Sequence, residues 1–150
     1  MSRSVPCILT NMCMITNGTK VLVQDKVGGS WGGVTFPGGH VEQGESFTRA
    51  VIREVFEETG LTIESPRLKG IKSWTETSGA RYIVLLYTAD KFSGELKSSD
   101  EGEVYWVERE KLPELKLANG FELMLPVFEN QDISEMYWAP YADKDGYELL

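Results

Sequence analysis

Residues 46–59, Ser-Phe-Thr-Arg-Ala-Val-Ile-Arg-Glu-Val-Phe-Glu-Glu-Thr, carry a helical period whose acids fall on the wrong face. Ser46 is placed to cap the first turn and Gly60 to stop the last. At about 100° per residue, with Phe47 at zero, Ala50, Val51 and Val55 share one apolar arc. Glu54 and Glu58 fall inside that arc and Glu57 at its edge. Ile52 and Phe56 make a second apolar patch, so the helix is expected to be buried on two sides, with three carboxylates crowding one of them.

Bare carboxylates held together in a half-buried place repel, and one takes up a proton unless a cation intervenes. Oxygen ligands at i, i+3 and i+4 suit magnesium or manganese. The competing reading is a solvated helix whose acids pair with Arg49 and Arg53. The segment before the helix weighs against it. Residues 27–45 hold seven of the chain's 15 glycines around a short strand, Val34 to Phe36. A loop that long in a compact domain is usually functional or disordered. Its backbone can offer a carbonyl to an ion, and loop and ion together would cradle a diphosphate.

The remaining pattern is mixed. Runs 5–16 and 19–26 read as strands joined at the hairpin signal Asn17-Gly18. Further strands are expected at about 61–77, 80–90 and 103–108, a second helix at 119–129, and strand-like segments near 134–140 and 145–150. The order predicts an α/β fold, a sandwich around a mixed sheet, in a single domain over residues 1–150. A net charge of −8 excludes a bare binder of nucleic-acid polymers, which needs a basic footprint. No apolar run approaches the ~18 residues of a membrane helix. Cys7 and Cys13 would lie about 20 Å apart along a strand, too far for a disulfide. They are expected as buried free thiols in a reducing compartment, which reads as cytoplasmic. Charge leaves the oligomeric state open.

From Gly39 the chain runs five residues to Glu45, seven more to Arg53-Glu54-Val55, one to Glu57-Glu58, and one to Gly60-Leu61. This resembles the signature box of the Nudix hydrolases at every position, and Phe36-Pro37-Gly38-Gly39 resembles the family's lead-in. A chance match of the seven fixed residues is roughly one in ten million. The resemblance implies a Nudix-type α/β/α sandwich and hydrolysis of a nucleotide diphosphate linkage with Mg2+ or Mn2+. It implies metal ligation by Glu54, Glu57, Glu58 and the Gly38 carbonyl, with Arg53 orienting a box glutamate, for which Glu45 is the candidate. Glu57 is the first choice for catalysis. Glu101 resembles the further metal ligand of MutT-type members and is the alternative general base; Glu103 is its rival as ligand.

Asn119 sits where such members read a purine edge, and an Asn side chain offers both a donor and an acceptor. It is equally a favoured helix N-cap. Lys26 is a candidate phosphate contact. Trp31, Trp74, Trp106 and Trp138 are candidate stacking surfaces. His40 is expected to be a plain loop residue. These features imply a nucleoside triphosphate pyrophosphohydrolase acting on a small nucleotide, with oxidised dGTP (8-oxo-dGTP) the favoured substrate. The alternatives are hydrolysis of another nucleoside diphosphate derivative such as ADP-ribose, or a regulatory module that binds a nucleotide without turnover. The intact set of box acids speaks against the last.

Overall fold

β1 (Cys7–Asn17) sends Met14 into one core and Cys13 and Ile15 into another. A strand apolar on both faces belongs in the middle of three layers. The computed structural model describes residues 2–28, 32–139 and 146–150. The further elements are β2 (Lys20–Lys26), β3 (Gly33–Thr35), α1 (Phe47–Thr59), β4 (Leu61–Glu64), β5 (Arg67–Thr75), β6 (Arg81–Ala89), β7 (Lys91–Gly94) and β8 (Gly102–Glu108). A 3-10 helix (Arg109–Glu114), α2 (Phe121–Glu129), β9 (Glu135–Trp138) and β10 (Tyr147–Leu149) follow. One mixed sheet runs β10-β9-β5-β6-β1-β2-β3, with β8 also paired to β2. β1 lies parallel to β6 and β5 parallel to β9.

α1 lays Val51 and Val55 on Cys13, Ile15, Leu22, Leu85 and Tyr87. α2 covers the other face, with Phe121, Met124, Val127 and Phe128 against Met14, Val23, Val84 and Leu86. The architecture is the expected α/β/α sandwich. The Ser46 hydroxyl accepts the Arg49 N–H at 3.1 Å, and Gly60 ends α1 at φ 78°, a conformation that favours glycine.

Several expectations change. Phe56 is 56% exposed while Ile52 is partly buried against the same core as Val51 and Val55, so the Ile52 and Phe56 patch is not a second buried side. The run 61–77 is two strands. Ser65 turns left-handed at φ 49° and Pro66 lacks an N–H, so the ladder cannot continue. β4 departs to pair with β7 in a separate ribbon, and β5 enters the main sheet. Asn17 pairs with Lys20, which moves the hairpin turn to Gly18-Thr19. The second helix starts at Phe121, two residues later than expected. Residues 140 and 145 of the last strand-like segments, and Trp31, lie outside the described residues.

The glycine stretch is laid along β1. Cys13 N–H donates to the Pro37 carbonyl at 2.9 Å, Asn11 N–H to Gly39 at 2.8 Å, and Val41 N–H to Leu9 at 2.9 Å. Phe36 anchors its start, edge-on to Phe121 at 4.7 Å and to Phe128 at 5.2 Å. The loop is thereby fixed between β1, α1 and α2.

Candidate active site

The backbone bonds of the glycine stretch alternate, so Pro37 and Gly39 face β1 while Gly38 faces α1. Gly38 N–H donates to Glu58 Oε2 at 3.0 Å. The Gly38 carbonyl accepts no backbone hydrogen bond among the described residues. A Cβ on Gly38 would strike the Asn11 carbonyl oxygen, and one on Gly39 would strike the Glu54 carboxylate. Both residues are glycine because the backbone has to pass this close to β1 and to the acids of α1.

Arg53 ties the helix to the loop. Its Nε meets Glu45 Oε2 at 2.7 Å and its Nη2 meets Glu45 Oε1 at 2.9 Å, a bidentate pair. Nη2 also donates to the His40 carbonyl at 2.9 Å, and Nη1 to Glu54 at 2.9 Å and Glu57 at 3.2 Å. The guanidinium holds the Glu45 carboxyl down at about 2. His40 itself is exposed, lines the cleft, and gives its carbonyl to Arg53.

The three helix acids experience different surroundings. Glu58 is 3% exposed, and burial, then the neighbouring Glu101 carboxyl, push its pKa up to about 9. Burial also raises Glu54, against the opposing pull of Arg53. The Glu57 side chain is 56% exposed. Glu101 reaches Glu58 from the turn before β8, whose start at Gly102 is paired with Lys26. Glu103 is paired across β8 with Asp25 and lies outside the cleft.

A cleft of about 610 Å³ connects these acids to an aromatic end. Lys26, Asn11, Gly38, Gly39, Glu54, Glu58 and Glu101 line one part of it. Trp74, Tyr82, Lys72, Phe121 and Met124 line another, and Asn119, next to the Ala118 whose N–H bonds the Val34 carbonyl on β3, lines the cleft as well. Glu45, Arg53 and Glu57 stand outside the lining and reach it through the Arg53 bonds. Trp74 stacks on Tyr82 at 4.3 Å and 9°. Trp106 packs on Phe92 and Trp138 on Tyr147, away from the cleft. Gly120 occupies the N-cap of α2 with no side-chain cap bond, so Asn119 is not the cap.

Three cleft residues had no part in the sequence reading. Asn11 receives the Gly39 N–H on Oδ1 at 3.0 Å and leaves its buried Nδ2 without a partner among the described residues. Its signal was a polar residue inside an apolar strand. Lys72 and Tyr82 share the face of β5 and β6 that carries Trp74 and Val84, as period-2 counting would have shown.

As they stand, no three acidic, histidine or cysteine side chains among the described residues converge on one point. Arg53 holds Glu54 and Glu57 toward itself. The donor set still fits a hard divalent ion, since every candidate ligand is an oxygen and the missing Cβ at Gly39 lets the backbone come close to the Glu54 carboxylate.

Residues 8–128 match the NUDIX domain. The chain is 33% identical over 113 residues to the Nudix hydrolase YvcI of Bacillus subtilis, covering 72% of this chain and 70% of that one. It is 32% identical over 110 residues to the oxidized purine nucleoside triphosphate hydrolase of Danio rerio, covering 71% and 69%. Its backbone superposes on the mutator MutT protein of Bacillus halodurans with a TM-score of 0.77, at 28% identity over 95% of this chain and 97% of that one.

Proposed function

The chain belongs to the Nudix hydrolase family, which acts on pyrophosphate bonds, and from that premise we propose that it is a nucleoside triphosphate pyrophosphohydrolase. It would release a nucleoside monophosphate and pyrophosphate, with oxidised dGTP as the favoured substrate. The observation that supports this reading is the single cleft whose lining holds buried acids, a stacked aromatic pair and Asn119. The oxidized purine substrate named for the Danio rerio relative agrees with it.

Glu54, Glu57, Glu58, Glu101 and the Gly38 carbonyl would hold magnesium or manganese. The bound ion would neutralise phosphate charge and make water a nucleophile near neutral pH. Glu57, the exposed acid, takes the proton from the attacking water as general base, and Glu101 is the alternative. Arg53 keeps Glu54 and Glu57 at fixed angles, and Glu45 in turn fixes Arg53. Lys26 meets a phosphate at the rim, and Asn119 reads the base edge. Cys13 is buried as expected, Cys7 at the start of β1 is exposed instead, and two free thiols suit a reducing compartment such as the cytoplasm.

Product chromatography on 8-oxo-dGTP, dGTP, dCTP and ADP-ribose, with magnesium and then with excess EDTA, tests the proposal. Monophosphate plus pyrophosphate from a triphosphate, abolished by EDTA, is the expected result. AMP and ribose 5-phosphate from ADP-ribose, with every triphosphate intact, would overturn it.

A further inference from the structure

The aromatic end of the cleft contains a cation that the acid chemistry does not use. Lys72 lies on β5, three strand spacings along the sheet from the glycine stretch, or about 14 Å. Its Nζ lies 5.4 Å from the centre of the Trp74 ring, and Trp74 is stacked on Tyr82. The ion pairs among the described residues involve Arg53, Arg109 and Lys111, and none reaches Lys72. Burial lowers the pKa of this lysine below its ordinary value. A half-buried ammonium without a carboxylate costs stability, and a ring face recovers only part of it.

A bound ligand can supply the missing partner, and the ammonium dictates that partner's chemistry. It carries three donors and no acceptor, so it needs an acceptor opposite. The walls around it are Trp74, Tyr82, Val84, Phe121 and Met124, which suit a flat base more than a hydrated phosphate. Guanine-type bases, oxidised or not, present O6 as an acceptor, whereas adenine presents an amino group in its place; N7 is an acceptor in both guanine and adenine and does not discriminate. Asn119 lines the same cleft and, carrying both a donor and an acceptor, does not make that distinction alone.

We propose that Lys72 is a specificity-determining residue that selects 6-keto over 6-amino purines at the nucleoside end of the cleft. The inference rests on the nucleoside triphosphate reading above. It is tested by kcat/KM for dGTP, dITP and dATP with magnesium, on wild type, Lys72→Met and Lys72→Arg. Lys72→Met should lose about 10- to 100-fold on dGTP and dITP, the scale of one good base contact, and less than about twofold on dATP. Lys72→Arg should keep the keto preference. The melting temperature of Lys72→Met should hold or rise, because an unpaired buried charge is removed. An equal loss on all three substrates, or unchanged ratios among them, overturns the assignment. Binding of GMP and AMP, followed by tryptophan quenching, gives a second readout that needs no turnover. Wild type that cleaves no triphosphate but binds GMP over AMP, with the preference lost in Lys72→Met, overturns the proposed reaction alone. Equal binding of GMP and AMP by wild type overturns the role of Lys72.

Discussion

Glu57 and Glu58 are neighbours in the chain and sit in different solvents. A turn of about 100° separates them, enough to put Glu58 under the glycine stretch and leave Glu57 half in water. Burial keeps a proton on Glu58 up to about 9 when no cation is present. Glu57 has access to water and is held by Arg53 at 3.2 Å. Glu57→Gln keeps the shape and one acceptor and removes the base. It should lower kcat by about 10³-fold, roughly 4 kcal/mol of transition-state stabilisation, with the melting temperature unchanged. A wild-type turnover number in that variant would transfer the role to Glu101.

The start of α2 shows what an element boundary decides. An Asn at the first position of a helix and an Asn free to meet a ligand look the same in sequence. The structure starts the helix at Phe121 and gives the N-cap to Gly120, with φ 76° and no capping side chain. Asn119→Ala should therefore leave stability intact, where loss of a true cap costs about 1 kcal/mol. It should lower kcat/KM for the preferred purine nucleotide by about 1–3 kcal/mol, the range for one lost buried partner, and flatten base discrimination. A falling melting temperature with base ratios unchanged would return Asn119 to a structural role. α1 was legible from sequence down to both caps because its signals are local: a hydroxyl, a period and a glycine within fifteen positions. The spacing of Glu54, Glu57, Glu58 and Arg53 was legible for the same reason. Lys72, Tyr82 and Asn11 were not, because they meet only after β5, β6, β1 and the glycine stretch line up side by side. That order comes from pairings between residues as distant as Asn11 and Leu85, which no local pattern encodes.

At the scale of the whole molecule, the site stores an instability that its ligand should remove. Glu54 and Glu58 are raised by burial, and Glu101 adds a third carboxyl beside Glu58. A carboxyl at about 9 in the folded state and 4.5 in the unfolded state means the native protein binds the extra proton between those values. Stability from this group is therefore full below about pH 4.5 and is lost as pH rises toward 9. Lys72 is lowered and contributes in the opposite sense, but only between its own depressed value and 10.5. Glu45, at about 2, has completed its titration below this window. With EDTA present, the melting temperature should fall as pH rises from 5 to 9, and Glu58→Gln, which cannot ionise, should flatten that slope. Saturating magnesium should raise the melting temperature of wild type by binding the folded state alone, most strongly at the alkaline end where the carboxylates are already ionised. Thermal melts of both proteins across that range, with EDTA and with magnesium, check each part. A wild-type curve in EDTA that is flat or rises with pH would mean that Glu58 does not hold a proton beneath the glycine stretch. Absence of a magnesium shift at pH 9 would mean that Glu54 and Glu57 pair with Arg53, Glu58 with the Gly38 N–H, and that they do no more.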